Sequence, residues 1–108
     1  MNKQYYENKL HKLICQLEQS YGELIGIPSI HRLEKFISGY IYCVWDLTGL
    51  YLKFDREFQS YVEKVMNNHE AHWANIIASA ATEEEAFRSF FSIYHQFVKE
   101  TGFGGNGL

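Results

Sequence analysis

A single proline, two cysteines and no apolar run long enough to span a bilayer set the first limits on this 108-residue chain. The longest charge-free apolar run, Phe36 to Trp45, is about half of what a membrane-spanning helix requires. The N-terminal MNKQYYENKLHK has no apolar centre like that of a signal peptide. Cys15 and Cys43 can form at most one disulfide and build no secreted-domain framework. Both sit in apolar periodic segments, so free, buried thiols in a reducing compartment are expected. These absences point to a cytoplasmic protein that does not enter the membrane.

Chemical equipment is also sparse. No glycine-rich phosphate loop follows a strand, and Gly104-Gly105 falls in the C-terminal tail. Ser20, Ser38 and Ser79 lack a nucleophile-elbow setting. His31, Arg32 and Lys35 form one small basic patch rather than the stripe that nucleic acid would need.

Aromatic residues, by contrast, are plentiful: eight tyrosines, eight phenylalanines and two tryptophans. They carry large apolar area with few torsions to freeze, which suits cores and binding faces alike. A chain of this length forms one domain and buries roughly 65% of its unfolded surface. The net charge of −3 is uneven: residues 1–53 carry +1 and residues 54–108 carry −4. An acidic second half suits a basic partner. It serves equally as a solvated surface.

Hydrophobic periodicity predicts an all-α bundle of about five helices. Tyr6, Leu10, Leu13, Leu17 and Tyr21, with Ile14, mark an amphipathic helix over residues 3–21. Gly22, Gly26 and Pro28 break it, and Ser29 can cap the next helix. That helix, Ser29 to Gly49, begins two-faced and becomes apolar all round between Gly39 and Trp45, which makes it the expected centre of the domain. Gly39 in its middle calls for a close helix neighbour or a kink. An α+β alternative places a hairpin near residues 41–56, where IYCVWD and LYLKFD flank Leu47-Thr48-Gly49. Asp55 can cap a third helix with Phe58, Tyr61, Val62 and Val65 on one face, ended by Asn67 and Asn68. Residues 69–81 read as a fourth helix with Trp73, Ile76, Ile77 and Ala80 inward. Thr82 and Glu85 have capping-box spacing ahead of a fifth, which carries Phe87, Phe90, Phe91, Tyr94, Phe97 and Val98 and stops at Gly102. Residues 1–101 thus form a single helical domain, and 102–108 a flexible tail.

Three small constellations have bland readings. His69 and His72 are three apart on an expected helix, without the zinc-protease spacing or an evident third ligand, so a solvated pair is expected and no metal or other cofactor. Either cysteine could pair with a histidine as nucleophile and base, but burial leaves a thiol inert, and no catalytic residue is assigned. Asp46 follows the apolar run and is expected to pair with a Lys or Arg, or to bond to a Tyr or Trp.

The order of Pro28-Ser29, LEKFISGY, FQSYV, HWANII and EEEAFRSFFSIYHQF resembles the small helical immunity proteins of bacterial contact-dependent growth inhibition and related polymorphic toxin systems. It spans about residues 29–98. The resemblance implies a non-enzymatic cytoplasmic inhibitor, a monomer that forms a 1:1 heterodimer with one cognate toxin domain and covers its active site. Many such toxins are nucleases with cationic clefts, which fits the acidic half. By position, the expected contacts are Asp55, Glu57, Glu63, Glu70, Glu83 and Glu84, with Tyr51 as an aromatic anchor. The other class open to such a chain is a small regulatory or adaptor domain that acts through homo- or hetero-oligomerisation.

Overall fold

Apolar spacing near 3.6 residues becomes five helices in the computed structural model, which describes residues 2–79 and 81–105, and no strand occurs among them. These are α1 (Lys3–Leu24), α2 (Ile30–Thr48), α3 (Phe54–Met66), α4 (Trp73–Ala78) and α5 (Glu83–Thr101). The helix prevails over the hairpin at residues 41–56. α2 runs to Thr48, where Gly49 turns left-handed (φ 78°) and its N–H bonds the Trp45 carbonyl at 2.8 Å.

Most helix ends form as their residues dictate. Ser29 Oγ accepts the Arg32 N–H at 3.2 Å, and Thr82 and Glu85 exchange side-chain-to-backbone bonds of 3.1 and 3.0 Å. The start of α3 differs from expectation. Asp55 lies inside its first turn, and Lys53 holds the cap position with no side-chain bond. A distant group serves instead: the buried carboxylate of Glu7 on α1 accepts the Lys53 N–H at 2.9 Å. The fourth helix is also shorter than residues 69–81. The Asn68 side chain takes the Glu70 N–H at 3.0 Å, while Gln59 accepts from Trp73 N–H at 2.7 Å and donates to the Ala71 carbonyl at 2.9 Å. These bonds hold the backbone off the helical path until His72. Ala80 lies outside the described residues.

The interior is an aromatic stack contributed by α3, α4 and α5. Phe54, Phe58, Trp73, Phe90, Tyr94 and Phe97 are fully buried. Phe54 stacks on Phe58 at 5.1 Å and Phe90 on Tyr94 at 5.7 Å, and Phe58 meets Trp73 edge-on at 5.1 Å. Such offset and edge arrangements suit the ring quadrupoles. Leu10, Ile14 and Leu17 of α1 and Ile30, Leu33 and Ile37 of α2 close over the stack.

α2 is not surrounded along its length. Its first half buries one face through Ile30, Leu33 and Ile37, but among residues 38–48 only Val44 is buried. Tyr42, Cys43, Trp45, Asp46 and Leu47 are exposed, so the thiol of Cys43 is not the buried one expected. Gly39 is exposed and helical, and a methyl group there would meet nothing within 4 Å, which removes the close neighbour as its explanation. Val65 also faces outward, half exposed.

The packed unit continues beyond Gly102. Phe103, placed by the sequence reading in a flexible tail, is only 7% exposed and lies against the rings of Phe54 at 5.3 Å and Phe97 at 5.6 Å. Gly104 (φ 88°) presses on α1 so closely that a Cβ would stand 2.5 Å from His11 Cγ. Both its backbone conformation and its space therefore require glycine.

Two substitutions test this packing by urea denaturation. Phe103→Ala should destabilise the protein by about 3 kcal/mol, and a loss below about 1 kcal/mol would return this segment to a flexible tail. Gly39→Ala should stabilise it by about 0.5–1 kcal/mol, whereas destabilisation would mean that something does pack there.

Candidate functional site

The wet face of α2 keeps its helical register after charge disappears from the sequence. Lys35, Gly39, Tyr42 and Asp46 follow one another at three- and four-residue steps, and all four are exposed. Beside this line stand Trp45, 47% exposed, and Leu47, 81% exposed. The Tyr42 and Trp45 rings lie 6.0 Å apart. In the connection to α3, Leu52 is buried and so turns its neighbour Tyr51 outward, 69% exposed. Phe54 likewise goes inward and leaves Asp55 half-buried at the rim.

Ser38, Ile41, Tyr42, Trp45, Tyr51 and Asp55 line one groove of about 360 Å³. Asp55 is fixed there by the core: its Oδ1 accepts the Trp73 indole N–H at 3.1 Å and lies 3.6 Å from His72 Nε2. On the other side of α2, a groove of about 410 Å³ runs along α1 past Tyr5, Leu13, Tyr40, Cys43 and Leu47. The end of α2 is therefore a ridge between two largely apolar depressions. Exposed apolar surface of this kind makes the ridge the candidate site.

Of the seven contacts expected from sequence, Tyr51 and Asp55 come together here. The others lie apart. Glu57 is exposed on α3 beside a groove lined with Arg56 and Lys64. Glu63 accepts from Gln59 at 2.8 Å and lies 3.3 Å from His69 Nδ1, contacts that lower its pKa, Gln59 first. Glu70 is exposed in the loop before α4, and Glu84 pairs with Arg88 at 2.7 Å. The all-round apolar reading of Gly39–Trp45 would surround Tyr42 and Trp45 with neighbours, but both are exposed. The signal that could have placed them outside is the unbroken register from Lys35 to Asp46. The Asp46 side chain makes no hydrogen bond or ion pair among the described residues, so the expected structural partner is not found.

Glu83 has an internal task. Its carboxylate sits over the N-terminus of α2, where it accepts the Ser29 hydroxyl at 2.5 Å and the His31 N–H at 3.1 Å. The His31 ring bridges onward, with Nδ1 3.1 Å from Glu83 and Nε2 3.2 Å from Asn75 of α4. One cluster thus ties three helices. Bonds from Ser29 and the His31 backbone hold the Glu83 carboxyl below its ordinary range, while the bonds to Asn75 and Glu83 raise His31. By helical rise, Trp45 lies about 21 Å along α2 from His31.

The remaining constellations are engaged in structure. His69 and His72 face different carboxylates, Glu63 and Asp55, and no three His, Cys, Asp or Glu side chains among the described residues could hold one ion. Cys15 Sγ lies 3.8 Å from His11 Nε2, whose Nδ1 bonds the buried Tyr94 hydroxyl at 2.6 Å. Burial, then Glu18, raises the Cys15 thiol, and burial, then His95, lowers His11. A neutral imidazole between a neutral phenol and a protonated thiol is a satisfied polar chain, not an activated nucleophile.

Comparisons with protein-family models, curated proteins and solved structures give no match for this chain. No helix among the described residues is long and apolar enough to cross a membrane.

The cluster at Glu83 predicts two opposed pH dependences, readable by urea denaturation at about pH 3, 5.5 and 8.5. Glu83→Gln should cost about 1 kcal/mol at neutral pH, the size of a lost helix cap. Because folding lowers this pKa, that cost is full above the ordinary value of 4.5 and fades as pH falls through the folded pKa. Folding raises His31, so the cost of His31→Gln is full below 6.5 and fades as pH rises through the folded pKa. Costs that do not vary across the three pH values would detach both groups from this role.

Proposed function

We propose that this chain is an immunity-type inhibitor that binds a cognate bacterial toxin domain one to one through the ridge formed by the end of α2 and the start of α3. The observation that carries the reading is the exposure of Tyr42, Trp45 and Tyr51 around a groove that also holds a carboxylate, Asp55. Tyrosine and tryptophan anchors supply most of the energy in many protein interfaces, and here they stand on a folded scaffold. The toxin as partner follows from the resemblance. The acidic half of the chain, with Asp46 and Asp55 at the ridge, suits a basic toxin such as a nuclease. In this proposal the groove is the anchor, and Glu57, Glu63, Glu70 and Glu84 steer the encounter. Glu83 serves the scaffold. The toxin is neutralised in the cytoplasm of the producing cell, with its active site covered.

The exposed ridge also favours the second reading, an adaptor domain that pairs with its own copy. Ultracentrifugation at several concentrations separates the two. A dimer dissolved by Trp45→Ala would replace the inhibitor with the adaptor.

The direct test is to look beside its gene for a large secreted protein with a variable C-terminal region and, where one is found, to express that region with and without this chain. Co-expression should rescue cells from that region. Trp45→Ala and Tyr51→Ala should each weaken binding at least about tenfold, with little change in stability because both side chains are exposed. Full rescue and unchanged affinity in the double variant would place the interface elsewhere.

A further inference from the structure

We infer that the groove between α2 and α3 receives one arginine side chain of the partner protein. This rests on the groove being a contact surface and specifies the chemistry it recognises. Its walls include Tyr42, Trp45 and Tyr51, whose π-faces attract cations. Asp55 provides the matching charge. Its Oδ1 is occupied by the Trp73 indole, while Oδ2 takes no hydrogen bond among the described residues. Ser38 supplies a second acceptor in the lining: its hydroxyl proton goes to Glu34 at 2.6 Å, which leaves lone pairs on Oγ. No lysine or arginine lines the groove. Among the described residues, the one basic group within 4 Å of the Asp55 carboxylate is His72, 3.6 Å away on the Oδ1 side.

Three features select a guanidinium. It is planar and stacks on aromatic rings, it carries five N–H donors in a fixed fork, and it loses less hydration than an ammonium. Lysine offers a point charge without the flat face. An apolar side chain would fit the rings but would cover the Asp55 carboxylate without a donor, which is costly. The volume, about 360 Å³, lies at the small end of ligand sites and suits a single long side chain better than a helix.

The probes are N-acetyl-arginine methylamide and its citrulline counterpart, which has the same shape without the charge. Binding is followed by NMR at the indole N–H of Trp45, with the buried Trp73 indole as an internal reference for the fold. The arginine probe should give a saturable shift at Trp45 with a Kd on the order of 10 mM, and citrulline should bind at least about fivefold more weakly. Asp55→Asn retains an oxygen for the Trp73 bond, so it should keep the Trp73 signal and abolish the preference for arginine. Equal response to the two probes, no saturable shift up to about 100 mM, or a preference that survives Asp55→Asn would overturn the assignment. Such a failure is distinct from failure of the inhibitor reading. If Trp45→Ala abolishes toxin rescue while the groove ignores arginine, only the arginine assignment falls. If arginine binds as described and Trp45→Ala leaves rescue intact, the groove keeps its cation specificity and the toxin interface lies elsewhere.

Discussion

The buried indole of Trp73 is the constraint on which the rest of this structure turns. The ring is fully enclosed among Phe54, Phe58 and Phe90, and its single N–H needs an acceptor that the aromatic stack cannot supply. Asp55 supplies it from the first turn of α3. A carboxylate is thereby held at the rim of the domain, directly above the core, with one oxygen committed inward. The same contact sets the approach of α4 to α3, and Gln59 reinforces it by accepting the Trp73 backbone N–H. Core packing and the geometry of the candidate site share one hydrogen bond.

Helical register decides what α2 can bury. Three helices fill the centre with aromatic rings, and α1 and α2 add three fully buried aliphatic residues each. At the far end of α2, Val44 is buried and Tyr40 and Ile41 pack against the core, which leaves Tyr42, Trp45 and Leu47 on the outward faces. Helical position gives these anchors a further property. Tyr42 and Trp45 project from a helix whose end is fixed by Gly49, and the buried Leu52 pins the connection that presents Tyr51. Little conformational freedom is left to lose when a partner binds.

Much of the fold was legible in the sequence because it is encoded locally. Ser29, Gly49, the Thr82–Glu85 box and Gly102 each mark a helix end through their own stereochemistry. The inward faces of α1 and α5 follow from spacing alone. What escaped was decided by residues distant in sequence. Glu7 caps α3 across 46 positions, which left Asp55 free for Trp73. Gln59 shortens the fourth helix from another element. Phe103 is held by partners on α3 and α5, although glycines follow it. The candidate site was half legible: Tyr51 and Asp55 were singled out, but the apolar run from Gly39 to Trp45 hid the exposure of Tyr42 and Trp45. An apolar run cannot distinguish a helix with neighbours on every side from one that outlasts its core.

Charge counting was the weakest guide, and the reason is physical. A carboxylate on the surface of a small helical domain often has structural work nearby, because every helix N-terminus leaves amide protons without partners. Glu83 meets that need for α2, Glu85 for α5 and Glu7 for α3. Glu84 and Glu63 are drawn to neighbouring side chains. Once these are subtracted, the acidic balance of residues 54–108 says little about where a partner binds. Asp55 differs because only one of its oxygens is used and the other shares a groove with aromatic rings. A charge contributes to recognition when the fold orients it without consuming it. By that criterion the proposed interaction surface lies at the junction of α2 and α3, on residues whose net charge is small and whose aromatic area is large.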